Sequence, residues 1–152
     1  MVSLDKSVYV GEFKHLLDAK NRLTIPSKWR FEGDEGVVYL ALPNPIGCVT
    51  IYPPKMVKRL EEKVAEVSLG DKQRQKMLMK FFAKADYFGC DKQGRINLSD
   101  KLCAHAALEK DVVCVGNFVT FHVWSPERYG AYLDKEDDGE DEMSRVLCEL
   151  GL

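Results

Sequence analysis

Two short stretches hold most of the residues that could do chemistry: LDAKNRLTIP at 17–26 and CDKQGRINLS at 90–99. In each, an aspartate stands four residues before an arginine, and the two aspartates, Asp18 and Asp91, are 73 residues apart in a chain of 152. A pattern that recurs at about half the chain length marks a duplicated unit. Asn21 and Gly94 occupy equivalent places, and these are the residue types that most readily take positive φ in a tight turn. One use of the pattern is a clamp, with the aspartate accepting backbone N–H groups and the arginine pairing with it. The other is a reader: Lys20 and Arg22, with Lys92 and Arg95, present positive charge from a β-hairpin, and a two-stranded ribbon has the right width for the DNA major groove. Arginine suits bidentate contact with guanine and lysine suits phosphate. Clamp and reader are compatible. Gln93 holds in the second turn the place that Lys20 holds in the first.

Other reactive patterns are absent from the sequence. His15, His105 and His122 show no ligand spacing, and Asp91 with His122 comes with no nucleophile elbow, phosphate-cradling glycine loop or H-E-x-x-H. The five cysteines (Cys48, Cys90, Cys103, Cys114, Cys148) form no C-x-x-C pair and suggest buried thiols in a reducing compartment. No metal, no cofactor and no enzymatic activity are expected. Trp29, Phe31, Phe118, Phe121 and Trp124 read as core or subunit interface, because aromatic residues on strands usually pack.

Strands are expected at 8–15, 22–25, 37–42, 48–52, 85–90, 95–98, 112–116 and 119–124, with GDEG at 33–36 and PNPIG at 43–47 as turns. The first two are expected to pair as a hairpin. Pro26 opens a short helix through Phe31, Ser99 caps one through Ala106, and Ser125-Pro126 starts another. Between the halves, Val57, Leu60, Val64 and Val67 recur at helical spacing from Pro54 to a stop at Gly70, and a second helix covers 71–83. The expected fold is α+β and β-rich, with two pseudo-symmetric hairpin/short-helix repeats interlocked into one barrel-like core and two inserted helices. Its divisions are a first repeat at 7–54, the helical pair at 55–84, a second repeat at 85–133, and an acidic flexible tail at 134–152 whose end, SRVLCELGL, forms a short docking helix.

Charge is uneven. Within 1–30 six basic residues face three acids, within 55–84 nine face four, and from Glu127 onward three basic residues face nine acids. A pI of about 5.9 lies far below the strongly basic value usual for nucleic-acid binders, so DNA binding requires local concentration or multiplication by oligomerisation. The start of the chain carries charges throughout and no apolar run is long enough for a membrane span, so a cytoplasmic address is expected.

The residues YVGEFKHLLDAKNRLTIPSKWR, ADYFGCDKQGRINLSDKL and DVVCVGNFVTFHVWSPERY resemble the MraZ family, which carries a duplicated AbrB-like (SpoVT/AbrB) domain. The resemblance runs roughly from Val10 to Tyr132. It implies a bacterial transcriptional regulator that binds direct repeats of double-stranded DNA upstream of the division and cell-wall gene cluster, associated with the nucleoid. It also implies a ring-shaped homo-oligomer presenting its D-x-x-x-R hairpins to successive repeats, with Arg22 and Arg95 as leading contacts and Lys20 in support. Three positions depart from the pattern: Asn21 in place of glycine, Ser99 in place of proline, and His122 in place of an acid. The competing reading is a ring of the same fold without DNA binding, its acidic tail lying over Lys20 and Arg22.

Overall fold

The computed structural model describes residues 8–30, 38–135 and 139–152. The expected turn at 33–36, together with Phe31 and Val37, lies outside them. Thirteen elements follow in chain order among the described residues: β1 (Glu12–Leu16), β2 (Arg22–Thr24), β3 (Val38–Asn44), β4 (Cys48–Tyr52), α1 (Pro54–Ala65), α2 (Lys72–Phe82), β5 (Asp86–Gly89), β6 (Arg95–Asn97), α3 (Asp100–His105), β7 (Asp111–Gly116), β8 (Phe121–Trp124), α4 (Pro126–Asp134) and α5 (Gly139–Glu149). A single 3-10 turn at Ser27–Trp29 stands where α3 stands in the second half.

Six antiparallel strands form one sheet in the order β1-β7-β8-β4-β3-β5. The order reads the same from either edge once each strand is exchanged for its counterpart in the other half. β1 pairs with β7 and β5 with β3, so the first strand of each half joins the other half's third strand. β2 and β6 form a separate two-stranded ribbon, with Leu23 opposite Ile96.

This pairing changes two expectations. No hairpin ladder joins β1 to β2; the Asp18 N–H bond to the Arg22 carbonyl and the Leu17–Leu23 bridge link them at the turn, and each strand finds its ladder partner in the other half. No closed barrel forms among the described residues, because β1 and β5 remain as the two sheet edges. The β2–β6 ribbon lies apart from the sheet because Leu23 and Ile96, 0% and 1% exposed, turn into the core. Burying each side chain of this size stabilises the fold by about 1.5–3 kcal/mol.

The core lies between ribbon and sheet. Trp29 meets Tyr9 and Phe13 edge-on and packs at a tilt on Phe121, while its indole N–H donates to the Val10 carbonyl at 2.9 Å. The expected strand at 8–15 breaks at Gly11, whose φ of 101° turns the chain between the Tyr9–Phe118 bridge and β1. Gly116 admits no side chain: a Cβ there would sit 2.4 Å from the Tyr9 carbonyl oxygen.

Helix starts follow local chemistry. The hydroxyls of Ser99 and Ser125 and the carboxylate of Asp71 each accept a backbone N–H three residues on, from Leu102, Arg128 and Arg74. Helix ends do not follow it as closely. α1 stops at Ala65, before Gly70, where the Glu66 N–H bonds back to the carbonyls of Lys63 and Val64. Two helices follow each half's last strand, α1–α2 after β4 and α4–α5 after β8. The acidic run expected to be unstructured supplies the end of α4 and the start of α5, its residues 136–138 lying outside the described ones. α5 is knitted by Arg145, which pairs with Glu142 and Glu149 one turn to either side.

Candidate nucleic-acid interface

The two D-x-x-x-R stretches close in the same way. At 18–22, one Asp18 oxygen accepts the N–H groups of Lys20 at 2.9 Å and Arg22 at 2.8 Å, and the other accepts Arg22 Nε–H at 2.7 Å. At 91–95, Asp91 accepts from Gln93 at 2.9 Å, from the Arg95 N–H at 2.8 Å and from Arg95 Nε–H at 2.8 Å. Backbone bonds complete both turns, with Asn21 and Gly94 donating to the aspartate carbonyls at 3.0 Å. Their φ values of 60° and 77° are the left-handed conformation their side chains were expected to tolerate. Hydrogen bonds, first from the arginine's backbone N–H and then from its side chain, hold both carboxyls below their ordinary value of 3.8.

A clamp made through Nε leaves the far end of each guanidinium free. Among the described residues the terminal nitrogens of Arg22 and Arg95 have no protein partner. The β2–β6 register sets Arg22 opposite Asn97 and Thr24 opposite Arg95, on the face away from the buried Leu23 and Ile96. Both arginines therefore share the outer face of one ribbon built from both halves, offset by two residues, or about 7 Å along it. Thr24 and Asn97 hold the other two corners of that face and add hydroxyl and amide groups. Sequence reasoning missed this pair; strand alternation from each arginine was the signal that could have found it. Lys20 and Lys92 are exposed on the two turns.

Each turn is also held by the opposite half. Asn21 Nδ2–H donates to Asp100 Oδ1 at 2.7 Å, and the Leu98 N–H donates to the Asn21 carbonyl at 2.9 Å. Across the ribbon, the Ile25 N–H donates to the Gly94 carbonyl at 2.8 Å, while Arg30 Nε–H donates to the Ile25 carbonyl at 2.9 Å. The Arg30 side chain lies so close over Gly94 that a Cβ there would be 2.6 Å from its Nε.

The histidines are taken up by the fold. His105 Nε2 lies 2.7 Å from the Asn44 carbonyl. The Asn44 amide donates to Thr50 Oγ1 at 3.0 Å, and His122 Nδ1 lies 2.9 Å from that oxygen. Burial lowers the pKa of His122. It also raises the Cys48 and Cys114 thiols to about 12, so neither is a reactive thiolate at neutral pH. Among the described residues no group of three or more His, Cys, Asp or Glu could hold a metal ion. No helix among them is long and apolar enough to cross a membrane.

The chain is a mixed α+β protein that presents two arginine-bearing turns at the surface of one ribbon. The family described as "MraZ protein, putative antitoxin-like" matches residues 81–147. Over 146 residues, 95% of this chain and 100% of the relative, the chain is 34% identical to the protein named Transcriptional regulator MraZ of Halothermothrix orenii. It is 33% identical to its namesake in Alkaliphilus metalliredigens and 34% identical to that in Clostridium tetani, with the same coverage. The chain belongs to the MraZ family, whose members here bear the name of transcriptional regulators and not of enzymes.

Proposed function

We propose that this protein is a sequence-specific regulator of transcription that reads double-stranded DNA with the outer face of its β2–β6 ribbon. The observation that carries the reading is the Nε clamp. It fixes Arg22 and Arg95 in place while leaving on each the pair of terminal N–H donors that a guanine edge accepts. Lys20 and Lys92 flank them as phosphate contacts, and the rigid turns reduce the entropy lost on binding. On this reading the palindromic strand order is two interlocked copies of one unit, at 7–54 and 85–133, and each DNA site meets one arginine from each copy.

A single ribbon is a small footprint for a chain with a net charge of −2, so assembly into a ring strengthens the reading. Several protomers on successive direct repeats raise the effective concentration of each contact. Exposed Leu69, Met79 and Tyr87 near α2, and Leu133, Met143 and Leu150 on α4 and beyond, supply apolar surface for such contacts. The target is the DNA upstream of the division and cell-wall gene cluster, which places the protein in the cytoplasm at the nucleoid.

The test is a gel-shift titration against the DNA immediately upstream of the protein's own coding sequence, at two salt concentrations, with Arg22→Ala alongside and light scattering for assembly. Salt-sensitive shifting that is lost in the variant is expected. A ring that shifts no DNA even at low salt would instead leave the turns as structural clamps.

A further inference from the structure

We infer that the two reading turns are deliberately unequal: Asp100 restrains phosphate binding at the first, Arg30 augments it at the second, and the second is the stronger anchor on the DNA backbone. The inference rests on the DNA-reading role proposed above and assigns a part to two residues outside the D-x-x-x-R pattern.

By sequence the two turns are equal, each carrying one lysine and one arginine against one aspartate. Tertiary contact breaks that balance. Asp100 comes from the other half of the chain to bond Asn21, the residue between Lys20 and Arg22. With Asp18, two carboxylates then face two cations at the first turn. At the second, Arg30 lies across Gly94 and brings a third cation beside Lys92 and Arg95, against Asp91 alone. Arg30 is exposed, and its terminal nitrogens have no protein partner among the described residues.

Repulsion between Asp100 and the DNA backbone is felt on every sequence alike, since phosphates carry no sequence information. Contacts from Arg22 to base edges recover that cost only where the right base is present. A carboxylate behind the first reader therefore weakens specific and non-specific binding by a similar factor, and holds down occupancy wherever the right base is missing. Arg30 acts oppositely: it adds backbone affinity on any sequence, at the second turn.

The deciding experiment is fluorescence anisotropy with the full-length protein on two duplexes of equal length, one from upstream of its own coding sequence and one a scramble of it, across a salt series. Asp100→Asn keeps an oxygen acceptor for Asn21 and removes only the charge. It is expected to tighten binding to both duplexes by a similar factor, about fivefold, the size of one surface charge contact, and to steepen the salt dependence. Asp100→Ser provides a second neutral side chain should the asparagine variant melt early. Arg30→Gln is expected to weaken both duplexes by a similar factor and lower the slope of log affinity against log salt by about one. Arg95→Ala should flatten that slope more than Arg22→Ala.

The inference is overturned if neutral residues at 100 leave the scramble affinity unchanged, or if Arg30→Gln leaves the slope unchanged, while wild type binds and Arg22→Ala is impaired. If wild type binds neither duplex, or Arg22→Ala binds as wild type does, the DNA-reading role fails and this inference fails with it.

Discussion

The turns at 18–22 and 91–95 are near copies in their bonds and opposites in their surroundings. Arg22 Nε lies 2.7 Å from its aspartate and Arg95 Nε 2.8 Å, and each carboxylate takes two backbone N–H groups. Behind the first stands a carboxylate, behind the second a guanidinium. Five residues are enough to build the clamp, because every partner in it lies within four positions along the chain. What a turn offers to a ligand is set by side chains from the other half, which local sequence does not constrain.

Four measurements would break or sharpen this comparison. The largest effect is expected beneath the ribbon, where Leu23 and Ile96 are cross-strand partners with 0% and 1% of their surface exposed. Leu23→Ala and Ile96→Ala should each cost about 2–5 kcal/mol of stability in denaturant titration. Nearly equal losses are expected from two halves sharing one core; a loss confined to one of them would mean that the halves are not structural equals.

Next come the two clamp arginines. Arg22→Ala and Arg95→Ala should each weaken DNA binding by about 1–3 kcal/mol per protomer with a smaller change in melting temperature than the core variants, since both ion pairs are partly solvent-exposed. Unfolding of either variant would show that the clamp, and not the reader, is the main role of the motif.

Third, Gly94→Ala tests the backing of the second turn. Its φ of 77° disfavours a side chain, and the new methyl would displace Arg30. About 1–2 kcal/mol of stability should be lost, together with the DNA affinity that Arg30 contributes. Asn21→Gly, at the first turn, fits the same backbone and should remove only the bond to Asp100, so a much smaller change in melting temperature is expected there.

The smallest effect concerns acid. Burial lowers the folded-state pKa of His122 below 6.5, so the unfolded chain takes up the proton first; this contribution to stability is complete above pH 6.5 and declines as pH falls below it. The clamps follow the same sign at lower pH: Asp18 and Asp91 titrate below 3.8 in the folded protein, so their support is present above that value and is lost as pH falls through their folded pKa. Melting temperature against pH should show a first decline below about 6.5 that His122→Asn reduces, and a second below 3.8 that Asp18→Asn and Asp91→Asn reduce equally.

Much of the architecture was legible at short range. Ser99 and Ser125 cap the helices their positions announce, because a cap needs only a hydroxyl and an N–H three residues on. Asn21 and Gly94 take the left-handed backbone their types allow. Legibility failed where a partner is remote. The apolar alternation of 22–25 marks a strand and names its buried face, yet a strand at residue 22 and one at residue 95 offer no sequence sign that they will pair. The expected hairpin therefore gave way to a ribbon across both halves, and Thr24 and Asn97 entered the candidate interface with it.

The amino-acid sequence by itself determined the repeated D-x-x-x-R motif, the two clamped turns, the type of nearly every element and the placing of four cations on those turns, since each depends on hydrogen bonds or periodicities spanning only a few residues. Only the tertiary structure decided that strands exchange between halves, that Arg22 and Arg95 share one face, and that Asp100 and Arg30 give the two turns opposite backing. Those outcomes follow from burying Leu23, Ile96 and Trp29 in a common core, and the cheapest way to bury them brings together residues that the chain itself keeps more than 60 positions apart.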